Sequence, residues 1–221
     1  MNRRHFIYLT SVAFAGCSLA PSLESAGVME RAAAELIRLS VTNGVDRLAQ
    51  NTLGDVEQAI ALPDELTSIK QSLSRLGVAG YLESIEKTMQ KGVQLAVQEV
   101  QPFLLSSANQ ITPLDAATII TGGNTSATDY VKRSVGKDIE QHFSDKLQAQ
   151  LSQLDFYADY KKLKAAYSLI PMMNKPDLDV ESQLVSAGVN LLFETVGQEE
   201  VKIRKNPGQA ASELLGSVLG G

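Results

Sequence analysis

Apolar residues recur at steps of three and four through most of the chain. The longest stripe consists of Leu82, Ile85, Met89, Val93, Ala96, Val100 and Phe103. Shorter stripes with the same period lie within 41–48, 143–170 and 184–196. This spacing places the apolar side chains on one face of an α-helix. After the N-terminal region no strand-length alternation of apolar and polar residues occurs, so the sequence predicts an all-α fold of about eight helices in one compact domain.

Local signals predict several helix boundaries. Thr112 followed by Pro113 is typical of an N-cap with proline in the first helical position, and Gly122-Gly123 ends that helix. Asn206-Pro207 predicts a similar start for a last helix over 210–219. A further start is predicted at Pro63, and a turn at 174–177.

The N-terminus has the layout of a secretory signal. Arg3 and Arg4 precede an apolar run that ends at Ala15-Gly16-Cys17, and this run is too short to span a membrane. Small residues directly before a cysteine resemble a bacterial lipobox, in which the Cys17 thiol receives a diacylglyceryl group. The alternative is an ordinary secreted protein in which this cysteine is incidental.

These signals divide the chain into a signal peptide over 1–16, a lipidated cysteine with a short tether over 17–27, and a helical domain over 28–221. Arg3-Arg4 followed by Phe6-Ile7 also resembles a twin-arginine export motif, so the export route stays open. Ser18 favours the outer membrane, because an aspartate after the lipidated cysteine resembles an inner-membrane retention signal in proteobacteria. The expected location is therefore the outer membrane, facing the periplasm.

Charge narrows the range of partners. The formal net charge is −5, and removal of Arg3 and Arg4 with the signal peptide changes it to −7. An acidic chain is not expected to bind nucleic acid. Anionic headgroups would repel it, so membrane attachment depends on the acyl chains, palmitate among them. The sequence does not indicate an oligomeric state.

Catalytic motifs are scarce. After Cys17 the sequence has one histidine, His142, with Asp138 and Asp145 on the same predicted helix face. A general base is one interpretation and a solvated surface histidine is the other, which the sequence favours. We find neither a phosphate-binding loop nor a nucleophile elbow, and we expect no metal, no cofactor and no catalytic residue.

Two segments stand out as candidate sites. The first is a helix corner whose candidate residues for an anion or a partner are Gly122, Gly123, Asn124, Thr125, Tyr130 and Arg133. Its helix start has free amides for an anion, and Asp129 is placed to form a capping box with Ser126. Alternatively, the corner is purely structural and needs glycine for a positive φ. The second segment places Glu200 and Arg204 one turn apart, as a structural ion pair.

Tyr157, Tyr160 and Tyr167 share a predicted helix face with Leu163. Such a stripe is usually core, but it can also line a groove for a small apolar ligand. This second interpretation supports an alternative function as a carrier or sensor.

Several of these segments together resemble a known family. They are Leu76-Gly77, Ile111 to Ala116, Gly122-Gly123, Ala127-Thr128-x-Tyr130, Tyr160 with Leu163, and Leu192-Phe193 through Glu200, Ile203-Arg204 and Asn206-Pro207. In order and spacing the chain resembles, over 62–220, the bacterial envelope lipoproteins catalogued as domain of unknown function 4197. The resemblance implies a helical, lipid-anchored envelope protein and implies no activity.

We therefore expect a non-enzymatic, lipid-anchored envelope lipoprotein that serves as an interaction or assembly module for an envelope protein partner. Two alternatives stay open: the carrier or sensor of an apolar ligand, and a hydrolase that uses His142.

Overall fold

The computed structural model of the chain describes residues 23–50, 54–62, 67, 70–171, 179–209 and 212–220, and within them it contains nine α-helices and no strand. The helices are α1 (Leu23–Gln50), α2 (Asp55–Ala59), α3 (Lys70–Arg75), α4 (Ala79–Ser106), α5 (Pro113–Thr121), α6 (Ser126–Gln153), α7 (Phe156–Ser168), α8 (Val180–Lys205) and α9 (Glu213–Leu219). Single 3₁₀ turns, Ser107–Asn109 and Pro207–Gln209, follow α4 and α8. The predicted all-α fold is confirmed.

Four long helices, α1, α4, α6 and α8, form the bundle, and α6 runs antiparallel to both α4 and α8. Gly92 of α4 lies against Leu151 of α6, whereas Phe103, near the other end of α4, packs on His142. Along α8 the order reverses again, because Glu200 meets the start of α6 and Gly188 meets Phe143. The apolar stripe predicted for α4 faces this core. All its members from Leu82 to Val100 are buried, and its last member, Phe103, is half-buried.

Helix α1 packs in the core against α4 and α8 and begins earlier than the sequence predicts. It starts at Leu23, inside the segment expected to be a tether up to Gly27, and runs without a break to Gln50. Gly44 allows α1 to approach α8 closely, since a Cβ atom there would lie 2.9 Å from Cγ2 of Val196. The signal peptide, Cys17, the Pro63 start and the predicted turn at 174–177 lie outside the described residues.

Two predicted helix starts have different outcomes. At α5 the prediction is confirmed: Pro113 is the first residue, and Thr112 forms a full capping box with Asp115. At the last helix the prediction is wrong. Pro207 begins a 3₁₀ turn, and α9 starts only at Glu213, because the Ser212 hydroxyl accepts a hydrogen bond from the Leu215 amide at 3.2 Å.

Substitution of Gly188 tests how closely α6 and α8 pack. A Cβ atom at this position would lie 2.5 Å from Cζ of Phe143, a core ring with no exposed surface. We expect Gly188→Ala to lower the free energy of unfolding by about 1–3 kcal/mol, as overpacking of a core does, measured by urea denaturation. Gly136→Ala is the matched control, because its Cβ would meet only Cγ of Lys132 at 3.6 Å. It should stabilise the protein by about 0.5–1 kcal/mol, and equal effects of the two changes would contradict the packing argument.

Candidate functional site

The carboxylate of Glu200 caps the N-terminus of α6 from a different helix. Its Oε1 atom accepts a hydrogen bond from the Ala127 amide at 2.9 Å. Its Oε2 atom accepts from the Thr128 amide at 2.8 Å and from the Thr128 hydroxyl at 2.7 Å. The N-cap residue, Thr125, makes no side-chain capping bond, so Glu200 satisfies amides that would otherwise lack partners.

Arg204 completes the corner from the side of α5. Its guanidinium lies 2.7 Å from Oε1 of Glu200 and donates to the carbonyl oxygen of Ile119 at 2.7 Å and, more weakly, to that of Ile120 at 3.4 Å. These carbonyls belong to the last turn of α5, where helices leave acceptors unpaired. Glu200 is fully buried, and the Arg204 side chain is 10% exposed. The ion pair therefore joins α5, α6 and α8.

This geometry changes the interpretation of the corner. The amides that an external anion would use are occupied by the protein's own carboxylate. Ser126 forms no capping box with Asp129, because its hydroxyl donates to the Ile119 carbonyl at 2.7 Å and its oxygen accepts from Arg204 at 2.7 Å. Gly122 has a negative φ of −79°. Glycine is needed there for space, since a Cβ atom would lie 2.4 Å from the carbonyl oxygen of Thr118.

Beside the corner, an open groove of about 460 Å³ runs between α6 and α8. We call it the corner groove; it is lined by Thr125, Thr128, Asp129, Lys132, Asn190, Phe193, Glu194, Gly197, Gln198 and Val201. The Lys132 ammonium lies 5.7 Å from the centre of the Phe193 ring, within the range of a cation–π interaction. The groove thus combines an apolar surface with charges of both signs.

The residues of the predicted corner site differ in their exposure to solvent and do not all line the groove. Thr125 lines the corner groove, and Gly122, Gly123 and Asn124, which precede it in the chain, are exposed. Arg133 is exposed on the next turn of α6, whereas Tyr130 is 6% exposed and belongs to the core. The groove residues of α8 were missed by the sequence analysis. Their spacing at 190, 193, 194 and 197 marks one helix face, but it does not indicate which helix lies opposite.

A second ionic cluster fastens α1 to α2 and α8. Arg47 makes two hydrogen bonds to the carboxylate of Asp55, at 2.7 and 2.6 Å, and reaches Glu199 at 3.2 Å. Glu199 also pairs with Lys202 at 2.6 Å. The hydrogen bonds from Arg47 hold the pKa of Asp55 below its usual value. The cations and carboxylates of this partly buried cluster are therefore paired with one another.

The two alternative sites lie elsewhere. His142 is exposed on α6, and its ring centroid lies 4.3 Å from that of Phe103. In the described part of the chain no hydrogen bond joins it to Asp138 or Asp145. Phe156 contacts Tyr157 edge-on and stacks on Tyr160.

The cavity beside Tyr157 measures about 60 Å³, well below the roughly 300 Å³ of small-molecule sites. Burial raises the pKa of the Tyr157 hydroxyl to about 12, with a contribution from nearby Glu181.

Taken together, the fold and the site define an all-helical protein whose most distinctive polar feature is a buried ion pair at a helix corner. A family model described as a protein of unknown function (DUF4197) matches residues 25–220, and the chain belongs to this family. No curated protein and no solved structure matches the chain. Among the described residues no helix has the length and apolarity to cross a bilayer, and no cluster of three potential metal ligands occurs.

Replacement of Glu200 should reveal how much the corner depends on it. Glu200→Ala leaves Arg204 without its carboxylate and two amides of α6 without acceptors. We expect a loss of about 3–5 kcal/mol in the free energy of unfolding, measured by urea denaturation. Glu194→Ala on the exposed face of the same helix is the control, and it should change stability by less than about 0.5 kcal/mol. Similar losses for both variants would show that the corner does not depend on Glu200.

Proposed function

We propose that the protein is a lipid-anchored lipoprotein of the bacterial envelope and acts there, without catalysis, as an interaction or assembly module. The anchoring part rests on the sequence. A basic start, a short apolar run and Ala15-Gly16-Cys17 form the lipobox-like segment, and Ser18 favours the outer membrane. The helical body then faces the periplasm.

The start of α1 supports a short connection between anchor and body. Leu23 follows Cys17 by only six residues, and a chain of six residues reaches about 20 Å when fully extended. A lipid on Cys17 would therefore keep the start of α1 within about 20 Å of the bilayer. A body held at this distance can act on partners within or beside the membrane.

The corner groove is the observation that carries the interaction role. It is open to solvent, measures about 460 Å³ and has Asp129, Lys132 and Glu194 in its lining, with the Lys132 ammonium over the ring of the largely buried Phe193. A groove that places charges of both signs beside apolar surface can give a protein partner charge complementarity and therefore specificity. Behind it, the Glu200–Arg204 pair fixes the two helices that form its walls, so the groove does not need to be ordered on binding.

Replacement of the lipobox cysteine tests the anchor. In cells grown with a clickable palmitate analogue, we expect the wild-type chain to carry the label and to sediment with the outer membrane. Cys17→Ser should lose the label and accumulate as the unprocessed precursor, because the acyl-accepting thiol is absent. Ser18→Ala preserves the thiol and should keep both label and processing. A labelled or normally processed Cys17→Ser chain would overturn the anchoring proposal.

Site-specific photocrosslinking in living cells tests the groove. A photoreactive amino acid at Asn190 or Glu194, both exposed on α8, should give a discrete crosslinked protein product. The same group at Ser152, exposed at the far end of α6, should give none. Equal yields at the three positions, or no product above background, would count against the groove as a partner site.

A further inference from the structure

An uncharged strip of surface follows α5 and the corner. Between Gln110 and Thr128 the only charged residue is Asp115, in a chain of which 20% is charged. Asp115 is half-buried, and its carboxylate accepts hydrogen bonds from the amide and the hydroxyl of Thr112. The Asp115 carboxylate is therefore hydrogen-bonded within the capping box, and the other residues of the strip carry no formal charge.

The outer face of α5 is less polar than its composition suggests. The hydroxyls of Thr118 and Thr121 donate to the carbonyl oxygens of Leu114 and Ala117, at 2.9 and 2.8 Å, so their hydrogens are already used within the helix. Leu114 is 77% exposed, beside exposed Pro113. We call this surface the α5 face; its residues are Pro113, Leu114, Thr118 and Thr121.

The α5 face belongs to the end of the molecule where α1 begins. The N-terminal half of α1, from Gly27 to Arg38, shares a groove with Ala108, Asn109 and Ile111, which lead into α5. Arg38 also donates a hydrogen bond to the side-chain oxygen of Asn109 at 3.2 Å. The start of α1 and the start of α5 therefore both lie near the C-terminal end of α4.

The opposite end of α4 provides a reference point. The Ser84 hydroxyl donates a hydrogen bond to Asp159, and the Lys162 ammonium lies over the Tyr81 ring. Helices α4 and α7 therefore run antiparallel, and the end of α7 lies at the N-terminal end of α4. Leu169, which follows α7 directly, is 73% exposed. Because α4 has 28 residues and is about 42 Å long, Leu114 and Leu169 are similarly exposed leucines at distant ends of the protein.

We propose that the α5 face is a second membrane contact, which lies on the bilayer that holds the lipidated Cys17, with the Leu114 side chain inserted at the boundary between headgroups and acyl chains. This inference rests on the proposed lipid anchor. The short connection to Leu23 brings the α1 end close to the bilayer, as the length of chain after Cys17 requires. A body of net charge −7 is repelled by anionic headgroups, whereas the four residues of the α5 face carry no charge.

The test uses an introduced cysteine, because Cys17 is the only natural one and lipidation blocks its thiol. The lipidated full chain with Leu114→Cys is labelled with an NBD fluorophore and reconstituted into vesicles of phosphatidylethanolamine and phosphatidylglycerol. Leu169→Cys, labelled in the same way, is the matched control. We expect a blue-shifted emission at position 114 and several-fold stronger quenching by lipids with brominated acyl chains than at position 169.

The outcomes separate this inference from the anchor itself. Mass spectrometry and flotation of the vesicles first establish whether the chain is lipidated and membrane-bound. A lipidated, floating protein whose label at 114 is as water-exposed as that at 169 overturns the second contact and leaves the anchor intact. A label at 114 that is shielded only after a periplasmic extract is added overturns it as well, in favour of a protein partner. An unlipidated chain that does not float overturns both.

Discussion

The buried pairing of Glu200 with Arg204 is the interaction on which the arrangement of α5, α6 and α8 depends. A fully buried carboxylate is costly unless its oxygens are satisfied. Glu200 meets this requirement with two amides and a hydroxyl of α6 and with the guanidinium of Arg204. The carboxylate lies at the positive end of α6, and the guanidinium at the negative end of α5. One ion pair thus replaces the local caps that both helix ends lack.

Close packing of the long helices could be predicted only in part from the sequence. The stripe from Leu82 to Phe103 identified α4, because burial of one face imposes a period that a single sequence displays. The start of α5 was also predictable, since Thr112 and its capping box are local. The space that Gly122 provides and the capping of α6 by Glu200 were not. Both depend on contacts between segments that are distant in sequence, and such contacts leave no local pattern.

The two candidate surfaces meet at the corner. Thr125 lines the corner groove and also belongs to the uncharged strip that begins near α5. A partner in the groove would therefore sit next to the surface that we propose lies on the bilayer. The ion pair behind both keeps their relative orientation fixed, because it binds the end of α5 and the start of α6 to the same helix. Membership in a family of unknown function is compatible with this scheme and adds no activity to it.

The position of the ion pair along the chain also determines when the corner can form. Its partners, Ile119 and Thr128, are synthesised 72–85 residues before Glu200 and Arg204. Until Glu200 and Arg204 have emerged from the ribosome, the start of α6 lacks its carboxylate partner and the end of α5 lacks its guanidinium partner. The corner can therefore form only after most of α8 has been synthesised.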